Sequence, residues 1–326
     1  MLNRAEICML GGRFRFESNS AQLLRLVDSA YADLPRHRLP GRAPIFKVRL
    51  LALGYPPRGR GGPQPPPFRM LSGPGSLGAA TQTSDFVVMS PDAQSALVAV
   101  SNRMLSHPYH TRYELIEFAV FTLASRRRKL ISLHAACIGR AGRGILLMGA
   151  SGAGKSTVTL LSIMQGFDML SEDSVFTTSD TLLATGIANF LHVRSDSLRW
   201  AGRDAAMIRR SPVIRRRSGV RKFEVDLRRT EYRLAPSPLK IAAVVFLSAR
   251  SAGDRPRLDS LTKSALLAKL SAAQAYAANQ PGWSTFAKNL SRLDAFELKR
   301  GRHPMQTVDA LAELLGGPPR SRPTPE

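Results

Sequence analysis

The sequence predicts an α/β fold: a mixed sheet entered through an antiparallel hairpin, plus a small N-terminal α+β unit. Three stretches carry that prediction. The apolar run Ile145-Leu146-Leu147-Met148 reads as a buried strand feeding the glycine-rich loop 149–154 and a helix from Lys155 to about Gln165, with Gly166 as its stop signal. Upstream, residues 129–138 read as a second strand, joined to the first through Gly139-Arg140-Ala141-Gly142-Arg143. A connection that short, with glycine in it, implies an antiparallel hairpin. Downstream, the stretch 167–176 runs from apolar residues into the adjacent carboxylates Glu172 and Asp173. In doubly wound proteins the strands at the site are parallel and linked by helices, so the hairpin points to a different sheet.

The other elements follow in chain order. Residues 1–55 suggest a compact β-α-β unit, with strands at 7–10, 14–16 and 46–53. Its helix opens at Ser20 and carries Leu23, Leu26, Val27 and Ala30 at helical spacing. The segment 56–70 is rich in proline and glycine and reads as an exposed linker. A third domain segment, 71–315, is expected to hold everything else. It begins with a strand at 86–89, a helix at about 91–105 and a buried helix at 111–125. Ile241 to Leu247 is a buried-strand candidate, and helices are expected at 261–278 and 307–315. The tail 316–326 is expected to be disordered.

Composition narrows the function. The 326 residues carry 47 Lys and Arg against 24 Asp and Glu, a formal charge of +23. The basic residues are dispersed and no nucleic-acid motif accompanies them, so a nucleic-acid partner is not expected. No apolar run reaches the ~18 residues of a membrane helix, and no membrane span is expected. The first residues lack the apolar core of a secretory signal. Cys8 and Cys137 form no disulfide framework and are expected to be reduced, which favours the cytoplasm. Homo-oligomerisation is left open.

The chemistry sits in GASGAGKST. Gly149, Gly154, Lys155 and Ser156 fit G-x-x-x-x-G-K-[ST], the P-loop. In such a loop the backbone from Gly149 through Ala150, Ser151, Gly152, Ala153 and Gly154 cradles phosphate, and Thr157 closes the motif. The helix N-terminus adds its partial positive charge. Lys155 would reach the β- and γ-phosphates and the Ser156 hydroxyl would ligate Mg²⁺. Of Glu172 and Asp173, one can ligate the metal while the other accepts a proton. ATP and Mg²⁺ are therefore the expected cofactors. The basic crowd at 209–233 can supply a cation to a transferring phosphoryl group, with Arg217 and Lys222 as first candidates. A transporter ATPase is not expected, because no L-S-G-G-Q-like stretch is present.

LHAACIG (133–139), GASGAGKST (149–157) and MLSEDSV (169–175), in that order and at those intervals, resemble the HPr kinase/phosphorylase superfamily, more closely its HPr-kinase-related branch of bacterial serine kinases. The resemblance covers about residues 125–180. It implies an HPr-kinase-like P-loop kinase core and transfer of the γ-phosphoryl group of ATP to a serine hydroxyl of a peptide or protein. It also implies roles. His134 resembles the histidine beside the catalytic carboxylate. Glu172 and Asp173 take the places of an Asp-Asp pair, Glu172 as base and Asp173 with Ser156 as metal ligands, or the two carboxylates exchanged. Glu172 departs from the aspartate of the pattern, and Thr157 stands where HPr kinases carry glutamate. No counterpart of the downstream glycine-rich signature is found, so HPr itself is not the expected acceptor. Some relatives of this branch act on peptides, lasso peptides among them. The same cradle would also serve a P-loop ATPase or a catalytically impaired nucleotide-binding regulator.

Overall fold

The computed structural model describes residues 2–54, 65, 67–73, 75–81, 84–150 and 152–316. The architecture is mixed α/β, in two compact units, Met1–Leu130 and Ile131–Glu326. In the first unit, β1 (Asn3–Met9), β2 (Gly12–Ser18), β3 (Ile45–Ala52), β4 (Arg69–Gly73), β5 (Ser76–Ala80), β6 (Phe86–Ser90) and β7 (Ser95–Val100) form one sheet, ordered β1-β2-β3-β7-β6-β5-β4. Alternation turns Phe14, Phe16 and Phe46 inward, where they stack. Helix α1 (Ala21–Tyr31), capped by Ser20, packs Tyr31 onto Phe16. After α2 (Asn102–Leu105) and α3 (Pro108–His110), a wide π turn at Thr111–Ile116 leads into α4 (Glu117–Arg128).

Two expectations change here. The expected helix at 91–105 is instead a turn at 91–94, a strand at 95–100 and a short helix at 102–105. Gln94, at φ 53°, turns the chain, and Ala96, Val98 and Val100 alternate into the core as β7 pairs with β3 and β6. Only its end is helical, started by the Ser101 cap. The domain boundary also moves. Strands β4 to β7 extend the sheet begun by β1 to β3, so residues 71–130 belong to the N-terminal unit and not to the unit that carries the glycine loop. The linker at 56–70 lies mostly outside the described residues, as does the tail beyond Gly316.

In the second unit the expected single strand at 129–138 is two strands, β8 (Ile131–His134) and β9 (Ala136–Arg140). Beyond them come β10 (Arg143–Met148), β11 (Asp168–Ser171), β12 (Ser174–Thr177), β13 (Leu183–Gly186), β14 (Phe190–Val193), β15 (Val213–Arg215), β16 (Arg221–Asp226), β17 (Leu239–Ser251), β18 (Arg257–Ser260) and β19 (Asp294–Arg300). The main sheet runs β11-β9-β10-β17-β13-β12-β8, with β19 joined to β17 and β18 to β19, and β14-β16-β15 form a smaller sheet. It is mixed: β10 is antiparallel to β9 across a two-residue turn at Ala141-Gly142 and parallel to β17. Strands β8 and β9 lie far apart in that order, yet Ala135 alone separates them in the chain. Strand β8 pairs instead with β12, which sets His134 at the end of β8 directly opposite Ser174 at the start of β12.

Both faces of β10 are covered. Ile145 and Leu147 pack in one core with α5 (Lys155–Met164) and, further along the chain from α6 (Ala205–Arg210), with α9 (Pro304–Leu314). Leu146 and Met148 pack in the other, with α7 (Lys263–Ala273) and α8 (Trp283–Leu290). Burial on both sides is why β10 reads as an unbroken apolar run. Helix α5 ends as the sequence predicts. Gly166 takes φ 79°, its N–H donates to the Ile163 carbonyl and that of Phe167 donates to Ser162, a Schellman closure. A side chain there disfavours the left-handed turn, so Gly166→Ala is expected to cost about 1–2 kcal/mol, read as a lower urea midpoint with an unchanged slope.

Candidate active site

Strand β10 delivers the chain into the loop 149–154, and α5 starts at Lys155 with Gly154 as its cap. Gly152 and Gly154 sit at φ +85° and +95°, and a Cβ on Gly152 would meet nothing within 4 Å, so the loop backbone there is uncovered. On its inner side a Cβ on Gly149 would come within 3.1 Å of the Leu247 carbonyl oxygen and 3.2 Å of the Ala153 Cβ, so the position is too close for an easy side chain. Gly149, Ala150, Gly152, Gly154, Lys155, Ser156 and Thr157 line one cleft of about 790 Å³. Ala153 is buried beneath it, and Ser151 lies outside the described residues. Thr157 hydrogen-bonds through Oγ1 to Ser197 at 2.8 Å.

The acidic pair occupies the turn between β11 and β12. Ser171 staples that turn, donating to the Ser174 carbonyl at 2.7 Å and accepting from its N–H. The two carboxylates diverge. Asp173 takes Lys155 Nζ at 2.7 Å and His134 Nδ1 at 3.2 Å, both on Oδ1. Burial would raise its pKa, but Lys155 and then His134 hold it down at about 2. His134 is exposed over most of its side chain, while Gln274 fixes its backbone with bonds of 2.8 Å and 3.0 Å.

Glu172 turns the other way and is buried. Its Oε1 accepts from the Ser156 hydroxyl at 2.9 Å, and its Oε2 accepts from the backbone N–H and the ring Nδ1 of His192, at 2.9 and 3.0 Å. The other ring nitrogen of His192 faces Glu224 Oε1 at 3.3 Å. Burial would lower the His192 pKa, but the two glutamates raise it to about 9, so the ring is an imidazolium donating to both. The same bonds keep Glu172 ionised: burial pushes its pKa up, and His192 more than offsets that.

The structure thus gathers His134, Lys155, Ser156, Glu172 and Asp173 at one cleft, but pairs them differently from the expected assignment. Ser156 is bonded to Glu172 and not to Asp173, because the Ser171 staple and β14 direct the glutamate toward the start of α5. Of the basic stretch, Lys222 and Arg216 line the cleft and Arg217 does not. Lys222 is shifted down by burial, against the pull of Glu172. His192 and Glu224 were not singled out from sequence. They are direct cross-strand partners of β14 and β16, and the signal was a polar residue in each of two short strands between apolar neighbours. Among the described residues no three His, Cys, Asp or Glu side chains gather as a metal cluster. Both cysteines are free thiols, and no described helix is long and apolar enough to cross a membrane.

No protein-family model and no curated protein matches the sequence. Among solved structures the chain is similar to the Hpr(Ser) kinase/phosphatase from Coxiella burnetii, at 12% identity and a TM-score of 0.26, over 56% of this chain and 87% of that one.

Proposed function

We propose that the chain is an ATP- and Mg²⁺-dependent kinase that transfers the γ-phosphoryl group to a hydroxyl, a serine of a peptide or protein. The observation that carries this reading is the split of the acidic pair across the start of α5: one carboxylate on the lysine and the exposed histidine, the other on the serine. The uncovered backbone at Gly152 and the first turn of α5 suit an anion. Lys155 suits the terminal phosphates. Ser156 and Glu172 would hold magnesium in the way such sites do, by one or two protein oxygens beside the substrate phosphates. Mg²⁺ held there would supply positive charge to offset that of the phosphates.

Asp173 is then the base, the reverse of the first assignment. It faces the open cleft beside His134, where an acceptor hydroxyl can approach, whereas both oxygens of Glu172 are already engaged. With Lys155 on its Oδ1, Asp173 is too acidic to take a proton. Once Lys155 turns to the phosphates, that attraction is lost and the carboxylate becomes more basic. Nucleotide binding would thereby switch on the base.

The test is incubation with γ-labelled ATP, with and without a panel of serine and threonine peptides. Slow ATP loss without acceptor, and an acid-stable phosphoester with it, is the expected result. Rapid hydrolysis indifferent to every acceptor would replace the kinase with an ATPase.

A further inference from the structure

We infer that His192 and Glu224 are positioning residues that clamp one oxygen of Glu172 and so reserve the other for the Ser156 side of the cleft. This rests on the kinase reading and adds to it two residues, on a separate small sheet.

The geometry makes the clamp specific to one oxygen. His192 places two donors on Oε2, its backbone N–H and its ring Nδ1, and nothing on Oε1. Two bonds to one oxygen, from a strand and from its side chain, fix the carboxylate plane as a single bond would not. Glu224 then fixes the ring. It stands opposite His192 in the β14–β16 register and faces Nε2 at 3.3 Å, so the imidazole cannot turn about its axis without losing that contact. Leu191, Val193 and Val225, the neighbours on either strand, are buried in the core shared with α5. The clamp is therefore built on the same packed body as Ser156. All three side chains are buried, and buried polar groups must find hydrogen-bond partners. Groups that orient a ligand from behind act on it strongly: their loss commonly weakens metal binding about 10–100-fold.

Asparagine and glutamine at position 192 separate the two ring bonds. His192→Asn keeps an N–H donor near the Nδ1 position, toward Glu172, and gives up the reach to Glu224. His192→Gln does the opposite. His192→Phe removes both donors at similar volume. Each would be studied by calorimetric titration of a non-hydrolysable ATP analogue across Mg²⁺ concentrations, beside thermal unfolding. The Mg²⁺ needed for half-maximal nucleotide binding should rise roughly 10–100-fold in the Gln and Phe variants, with His192→Asn close to wild type. His192→Phe with Glu224→Leu also removes the carboxylate that faced the ring. That pair should regain thermal stability while the Mg²⁺ requirement stays high, a split that a merely structural role would not give. If the requirement falls back together with Tm, or if Gln and Asn behave alike, the clamp is wrong. A wild-type chain whose nucleotide binding ignores Mg²⁺ would overturn the kinase reading and the clamp with it. Wild-type dependence left unchanged by His192→Phe would overturn the clamp alone.

Discussion

Asp173→Asn is expected to lower turnover by about 10²–10⁴-fold, the usual worth of a general base, and to bind nucleotide as tightly as wild type or more tightly. The two effects have one origin. In the free protein Lys155 is held by Asp173 at 2.7 Å, and nucleotide must take the lysine away from that carboxylate. Asparagine keeps the size of the side chain but gives up most of the attraction, so Lys155 is released to the phosphates at lower cost. The base is lost at the same time. Equilibrium titration and steady-state kinetics on one preparation check both halves. Glu172→Gln discriminates the roles: it should raise the Mg²⁺ requirement, whereas Asp173→Asn should leave it near wild type. Wild-type turnover in Asp173→Asn would return the base to Glu172 or remove it altogether.

What could be read from the sequence here was local. The strand into Gly149, the helix from Lys155 and its stop at Gly166 depend on neighbours within a few residues, and the structure places them as read. The hairpin into β10 was legible for the same reason. The partners of Glu172 were not. Which way two adjacent carboxylates point is decided by the Ser171 staple and by a strand some 20 residues on, and His192 meets Glu224 only through pairing across 32 residues. A single histidine in a short apolar strand says nothing until that pairing exists. The strand β7 reads as helix because Ala96, Val100 and Met104 recur four residues apart, as on one helix face, while Ala96, Val98 and Val100 alternate as in a strand, and Pro91, which opens the turn closed at Gln94, also suits the first residue of a helix. The unit boundary differs because proline-rich composition marks a break in regular structure and does not say whether the strands beyond it join the same sheet, as β4 to β7 do.

Lys155→Ala should weaken nucleotide binding and reduce turnover by at least about 10²–10³-fold, the loss seen when one donor to a developing oxyanion is removed. Its ammonium is the charged group that the loop-to-helix junction itself offers the phosphates, and it is mostly buried, so solvent cations replace it poorly. The sharper expectation concerns the pair. Asp173→Asn should tighten nucleotide binding only by releasing Lys155, so in the Lys155→Ala background the same substitution should tighten nothing. A double-mutant cycle on nucleotide affinity isolates this term, because the two side chains touch and their effects should not add. Thermal unfolding of the four proteins guards against misfolding: each single variant removes one partner of the pair, and the double variant removes both. A tightening by Asp173→Asn of equal size with and without Lys155 would mean that the aspartate repels phosphate directly. The 2.7 Å pair would then have no part in switching on the base.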